Sequence, residues 1–136
     1  MNERYIRQTM IPEIGEAGQE KLKNAKVLIV GIGGLGSPIS LYLTAAGVGQ
    51  IGLIDDDIVS KSNLQRQILY TEAEIGQSKV ECACRRLSAL NSSTRFETYP
   101  NRFSPDNANR LVSAYDIIVD GCDNAATRYL IDDVCS

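Results

Sequence analysis

Asn63, Arg66 and Gln67 stand within one short run, Ser62-Asn63-Leu64-Gln65-Arg66-Gln67, shortly after the acidic cluster Asp55-Asp56-Asp57 and downstream of a glycine loop that closes at Gly36. An arginine flanked by two amides offers a planar cation and several N–H donors, a set suited to phosphate oxygens. The glycine run Gly31-Ile32-Gly33-Gly34-Leu35-Gly36 supplies the complementary part. Glycines let the backbone turn sharply and approach a phosphate, and the following helix start offers free N–H groups at a positive dipole end. Asp55 stands 19 residues after Gly36, where a carboxylate can accept both hydroxyls of a ribose. Each piece has a plain alternative: a strand–helix turn without a ligand, an acidic loop residue, a surface arginine. Their joint spacing favours a nucleotide.

The loop and Asp55 serve NAD and ATP equally. Asn63, Arg66, Gln67 and Lys79 break the tie towards ATP, because hydride transfer needs no cations beyond the pyrophosphate turn. Departing pyrophosphate gathers negative charge, and an Arg or Lys held against it stabilises the transition state more than the ground state. Lys79 could equally be an ordinary first-turn helix residue. Asp120-Gly121-Cys122-Asp123-Asn124 adds a carboxylate pair at a strand end. Mg²⁺ binds through one or two carboxylates plus phosphate oxygens, so Asp123 is the metal candidate. The plain alternative is that Asp123 or Asn124 simply caps the next helix, and both hold at once if Asn124 is the cap.

Those groups must be positioned by alternating strands and helices. Lys26–Val30 is a short apolar run ending in glycine, as expected for a strand buried on both faces. A helix is expected from Ser37, with Pro38 in its first turn and Gly47 and Gly49 as its stop. Ile51–Ile54 reads as the second strand. Residues 56–76 read as an extended functional loop with a short helical turn near Leu64. Ser78-x-x-Glu81 resembles a capping box opening a helix through Leu90. Arg95–Tyr99 reads as a strand near an edge, Ser104-Pro105 as a helix start, Asp116–Asp120 as the fourth strand, and Asn124 onward as helix. This order predicts a parallel sheet with helices on both faces and its ligand site at the carboxyl ends of the strands.

The chain has 136 residues, a length suited to one domain. A net charge of −3 argues against a nucleic-acid or anionic-membrane surface as the main partner. No apolar run approaches the roughly 18 residues that would span a bilayer, and the first residues lack a signal-peptide core, so the cytoplasm is expected. There is no histidine, which removes imidazole from any catalytic or metal role. Cys82, Cys84, Cys122 and Cys135 form no CxxC pair and read as small buried residues, Cys122 excepted for its place after a strand.

Together these residues resemble the ThiF/MoeB/HesA family, bacterial relatives of the ubiquitin-activating enzymes. The matching pieces are Arg4-Tyr5-x-Arg7-Gln8, the glycine loop, Asp55-x-Asp57-x-Val59-x-x-Ser62-Asn63-Leu64-x-Arg66-Gln67, Gly76-x-x-Lys79 and Asp120-x-x-Asp123-Asn124. The resemblance implies a Rossmann-like α/β fold over 1–136, with residues 1–24 as a helical segment packing on it. It implies adenylation of the C-terminal Gly-Gly carboxylate of a ubiquitin-like sulfur-carrier protein, with ATP and Mg²⁺, in a thiamin, molybdopterin or other sulfur pathway. Gly31, Gly33, Gly34, Gly36, Asp55, Asp57, Asn63, Arg66, Gln67 and Lys79 would bind the nucleotide. Asp123, Arg66, Lys79 and Arg7 would be catalytic. Asp123 would serve the metal through ATP, and Arg7 would reach the partner subunit's triphosphate in a homodimer, like an arginine finger supplied in trans.

Members of that family usually continue further, with more strands, most of the carrier-docking groove and paired CxxC zinc ligands. Cys82 and Cys84 have the wrong spacing for that zinc, so no ligands for it are expected in this chain. The expectation is therefore a truncated, nucleotide-binding half of the fold. Two other readings compete with catalysis: a non-catalytic ATP-binding or dimerisation fragment, and an NAD-dependent oxidoreductase, for which no hydride-transfer acid or base is visible.

Overall fold

The computed structural model describes residues 3–65, 67 and 69–121. A 3₁₀ turn, Glu3–Tyr5, leads into α1 (Ile6–Thr9) and α2 (Gly15–Asn24). Then follow β1 (Lys26–Val30), α3 (Gly36–Ala46) and β2 (Gln50–Ile54). Two 3₁₀ turns, Lys61–Asn63 and Glu72–Glu74, punctuate the long loop before α4 (Lys79–Leu90), β3 (Arg95–Tyr99), α5 (Ala108–Ser113) and β4 (Ile117–Asp120).

All four strands are parallel, in the order β3-β2-β1-β4. Their registers bring the carboxyl ends into line, with Val30 opposite both Ile54 and Asp120, and Ile54 opposite Tyr99. The alternation of β1 divides the core. Val27 and Ile29 join Leu53, Val80 and Leu87 on the face covered by α3 and α4. Leu28 and Val30 join Phe103, Leu111 and Tyr115 on the face covered by α5. Successive strand residues point to opposite faces, so a strand that is apolar at both parities must be covered on both sides. β3, with no residue fully buried, lies at the sheet edge.

The amino-terminal segment is tied to the far end of α3. Tyr5 is buried and its hydroxyl accepts a hydrogen bond from Asn91 Nδ2 at 2.7 Å. The side-chain amides of Gln8 and Gln19 both donate to the Ala46 carbonyl, each at 3.0 Å. Gly47 ends α3 at φ +97°, and a Cβ there would stand 2.7 Å from the Tyr5 ring. Left-handed backbone and a close neighbour both demand glycine at this point.

Two local expectations need correction. The capping box at Ser78 is absent: Ser78 makes no side-chain cap, its backbone instead bridges Ile58, and Glu81 accepts from Thr98 Oγ1 at 3.4 Å. A box-like contact occurs upstream, where the Thr71 N–H donates to Glu74 Oε1 at 2.9 Å. The helix expected at Ser104-Pro105 begins only at Ala108, because Asn107 Oδ1 takes the Ser104 N–H at 3.0 Å and favours a turn there. The helix expected from Asn124 lies outside the described residues.

Candidate nucleotide site

The sheet changes direction between β1 and β4: β2 and β3 lie to one side of β1, and β4 to the other. Crevices at such switch points are where open α/β sheets bind ligands. Here the crevice is lined by glycine. Gly31 has φ +90°, and a Cβ on Gly36 would run into the Gly31 carbonyl oxygen. A Cβ on Gly121, one residue past β4, would stand 2.6 Å from the same oxygen. The turn can therefore be this tight only without side chains, which leaves the start of α3 open to an approaching anion.

Asp55 holds the turn from β2. Its Oδ2 accepts the Ile32 N–H and its Oδ1 the Asp57 N–H, both at 2.8 Å. Each carboxylate oxygen keeps a further lone pair, so a ribose hydroxyl remains compatible with these bonds. Tyr70 holds the turn from the loop, donating its hydroxyl to the Ile32 carbonyl at 2.7 Å. Burial, and then the Asp55 charge, push the Tyr70 phenol well above its ordinary range, so it stays protonated and able to donate. Buried Ser37 adds a weaker 3.4 Å contact to the same carbonyl.

Gln67 is only 3% exposed and lies behind the glycine turn, where a Cβ on Gly33 would be 3.5 Å from its Nε2. Its Oε1 is buried without a partner. Gln67, expected among the phosphate contacts, is thus an enclosed side chain beside the turn. It backs the turn, and its orphaned acceptor marks a place where a bound water or ligand donor would be favourable. The Gln67 N–H donates to the Asn63 carbonyl at 2.9 Å, and Asn63 Oδ1 accepts from Ser60 Oγ at 2.6 Å, which leaves the Asn63 amide N–H donors for a ligand.

Lys79 opens α4 with its side chain 5% exposed, and its Nζ lies 3.6 Å from Asp57 Oδ2. Its backbone N–H donates to the Asp57 carbonyl at 3.1 Å. Ile32, Asp55, Asp57 and Lys79 thus form a chain of contacts from the glycine turn to a buried cation. The carboxylate oxygens of Asp55, Asp56 and Asp57 lie within 4.8 Å of one another, but Asp55 is engaged by backbone N–H groups and Asp57 by Lys79. The cluster is built by the protein's own donors and needs no cation to explain it.

Of the residues singled out from the sequence, the structure joins the glycine loop, Asp55, Asp57, Gln67 and Lys79 directly, and Asn63 through Gln67. Arg66 and Asp123 lie outside the described residues, as do Cys122 and Asn124. Arg7 is exposed on α1, and its neighbour Gln8 binds the end of α3 opposite the turn, roughly 15 Å away along an 11-residue helix. Sequence reasoning missed Tyr70 and Ser37, for which no local signal existed. It also passed over Gly121, although a glycine directly after a strand at the switch point was a readable sign. Cys82 is buried, and burial together with the Glu74 carboxylate pushes its thiol up, as befits an unreactive core cysteine.

The fold has known counterparts. A family model described as the ThiF family matches residues 5–136. The sulfur carrier protein adenylyltransferase of Thermus thermophilus is 49% identical over 131 residues, a match covering 96% of this chain and 48% of that protein. A probable adenylyltransferase/sulfurtransferase MoeZ of Mycobacterium tuberculosis is 50% identical over 130 residues, covering 96% of this chain and 33% of that one. The solved structure of E. coli tRNA N6-threonylcarbamoyladenosine dehydratase, TcdA, in complex with ATP superimposes with a TM-score of 0.91 at 28% identity, covering 98% of this chain and 54% of that chain. The chain thus spans half or less of the curated relatives named here. No helix among the described residues is long and apolar enough to cross a membrane.

Proposed function

The chain belongs to the ThiF family, and from that premise we propose that it carries the ATP site of an adenylyltransferase acting on the C-terminal Gly-Gly carboxylate of a ubiquitin-like sulfur-carrier protein. The observation that carries the reading is the buried Lys79 ammonium, tied through Asp57 and Asp55 to the glycine turn. A fixed cation beyond the pyrophosphate turn suits triphosphate cleavage. Hydride transfer does not require one.

In the proposed reaction a carboxylate oxygen of the carrier attacks the α-phosphorus of ATP. The bond from that phosphorus to the oxygen bridging the β-phosphate breaks, and pyrophosphate leaves with the electron pair. The N–H groups at the start of α3 and the Asn63 amide orient the phosphates, while Asp55 takes the ribose. Lys79 and Arg66 stabilise the charge that gathers on the leaving pyrophosphate. Asp123, beyond the described residues, would hold the Mg²⁺ that accompanies ATP, and the ion would supply charge neutralisation there. Arg7 completes the site of a second subunit in a homodimer, which agrees with its position at the far end of α3 from its own chain's turn.

The test is carrier-dependent ATP–pyrophosphate exchange. Exchange is expected with this chain and is expected to vanish in Asp123→Ala; undiminished exchange in that variant would sink the role given to Asp123. Because the relatives named for the reaction extend well beyond the matched segment, a second reading is ATP binding and dimerisation without turnover. Calorimetric ATP binding in the absence of exchange would support it.

A further inference from the structure

Among the described lysines only Lys79 is buried. Its position is unfavourable twice over. Burial strips water from the ammonium, and the first residue of an α-helix meets the positive end of the helix dipole. An anion must compensate, and among the described residues the group that does so is poorly fitted to the task. Asp57 stands 3.6 Å away, beyond the 2.7–2.9 Å of a charge-assisted hydrogen bond, and its side chain is 70% exposed. The Asp57 backbone, by contrast, is held at both ends, by its N–H on Asp55 Oδ1 and its carbonyl on the Lys79 N–H. The carboxylate can therefore swing into solvent without disturbing the turn, and the ammonium cannot.

We propose that Asp57 is a displaceable counter-ion: it covers Lys79 while the site is empty and yields it to the phosphates of an incoming nucleotide. The inference rests on the reading of the site as an ATP site and gives Asp57 a role opposed to binding. A ligand gains Lys79 only by outcompeting a resident carboxylate, which favours polyphosphates over singly charged anions. The same carboxylate returns to the ammonium as pyrophosphate departs, so the buried cation is never left without a partner.

The experiment is calorimetric titration of the full chain and its Asp57→Asn variant with ATP, adenosine and inorganic tripolyphosphate, first without and then with Mg²⁺. Loss of the competing charge is expected to tighten ATP and tripolyphosphate on the order of tenfold, with adenosine unchanged. The gain is expected to disappear when Asp57→Asn is placed on a Lys79→Ala background, as coupled residues require. A gain that persists on that background would mean general charge repulsion and overturn the proposal. So would weaker or unchanged ATP binding in Asp57→Asn, including weakening confined to Mg²⁺, which would make Asp57 a metal ligand. Wild-type binding of ATP with no gain in the variant leaves the ATP reading standing and removes the counter-ion. Tightened tripolyphosphate in a chain that ignores ATP and adenosine does the reverse. Binding of neither probe overturns both.

Discussion

Lys79→Ala separates binding from folding at the level of one residue. The lost cation is expected to weaken ATP by roughly 10- to 100-fold, the scale of a hydrogen bond to a charged group. The fold should survive, because the Asp57 left behind is 70% exposed and returns to water. Calorimetry beside circular dichroism reads the two effects apart. Gly36→Ala acts on the turn itself: its Cβ would meet the Gly31 carbonyl, a backbone atom that cannot rotate away. About 1–3 kcal/mol of stability should be lost, the usual cost of overpacking, and ATP binding should fall with it; urea unfolding measures the first. Tyr70→Phe keeps the ring and removes the bond to the Ile32 carbonyl. A loss of about 1 kcal/mol is expected, seen as a lower urea midpoint at unchanged slope.

The loop before α4 is held as an element by a small polar knot. Glu74 accepts from the Thr71 N–H and hydroxyl and pairs with Arg85 Nη2 at 3.4 Å. Burial pushes its carboxyl up, but the hydrogen bonds from Thr71, Cys82 and Arg85 outweigh burial and hold it below its ordinary 4.5. A carboxyl depressed in the folded state contributes stability above its unfolded value and loses it as pH falls through the folded one. Glu74→Gln should therefore be less stable than wild type at pH 7, by about 1 kcal/mol or less. The difference should close in the acid range below 4.5, and denaturation curves at neutral and acid pH would show whether it does. An unchanged gap at both would mean that the charge of Glu74 contributes nothing. The same loop carries Tyr70, Gln67 and Asn63, so its order matters to the site. Long loops inside compact domains are commonly functional, and this one is built to keep its shape.

At the scale of the whole molecule, a ligand that binds only the folded state stabilises it by mass action, by about 2.7 kcal/mol at a hundredfold excess over Kd. ATP is expected to raise Tm in proportion to the logarithm of its concentration, and NADH to leave it unmoved. A shift with NADH and none with ATP would return the site to the dinucleotide reading. The effect is expected to be global because the turn lies where β1, β2 and β4 all end, between the two halves of the core.

The sequence by itself determined the four strands, the glycine turn and the acidic residue at the end of β2, because each is written in a few adjacent residues. Apolar runs specify buried strands, and glycine marks where side chains cannot fit. It also showed the family, through the ordered run from Ser62 to Gln67. Helix starts were legible in place more than in detail: α4 begins after Ser78 without the expected capping box, and a local turn closed by Asn107 delays α5 to Ala108. The tertiary structure alone placed β4 beside β1, so that Gly121 closes on the Gly31 carbonyl. It alone buried Gln67 behind Gly33, brought the Tyr70 hydroxyl to Ile32, and set an exposed Asp57 before a buried Lys79. Those pairs depend on strand order and on how the long loop folds back over the sheet. Residue type sets what a group can do, and only the packed chain sets what it faces.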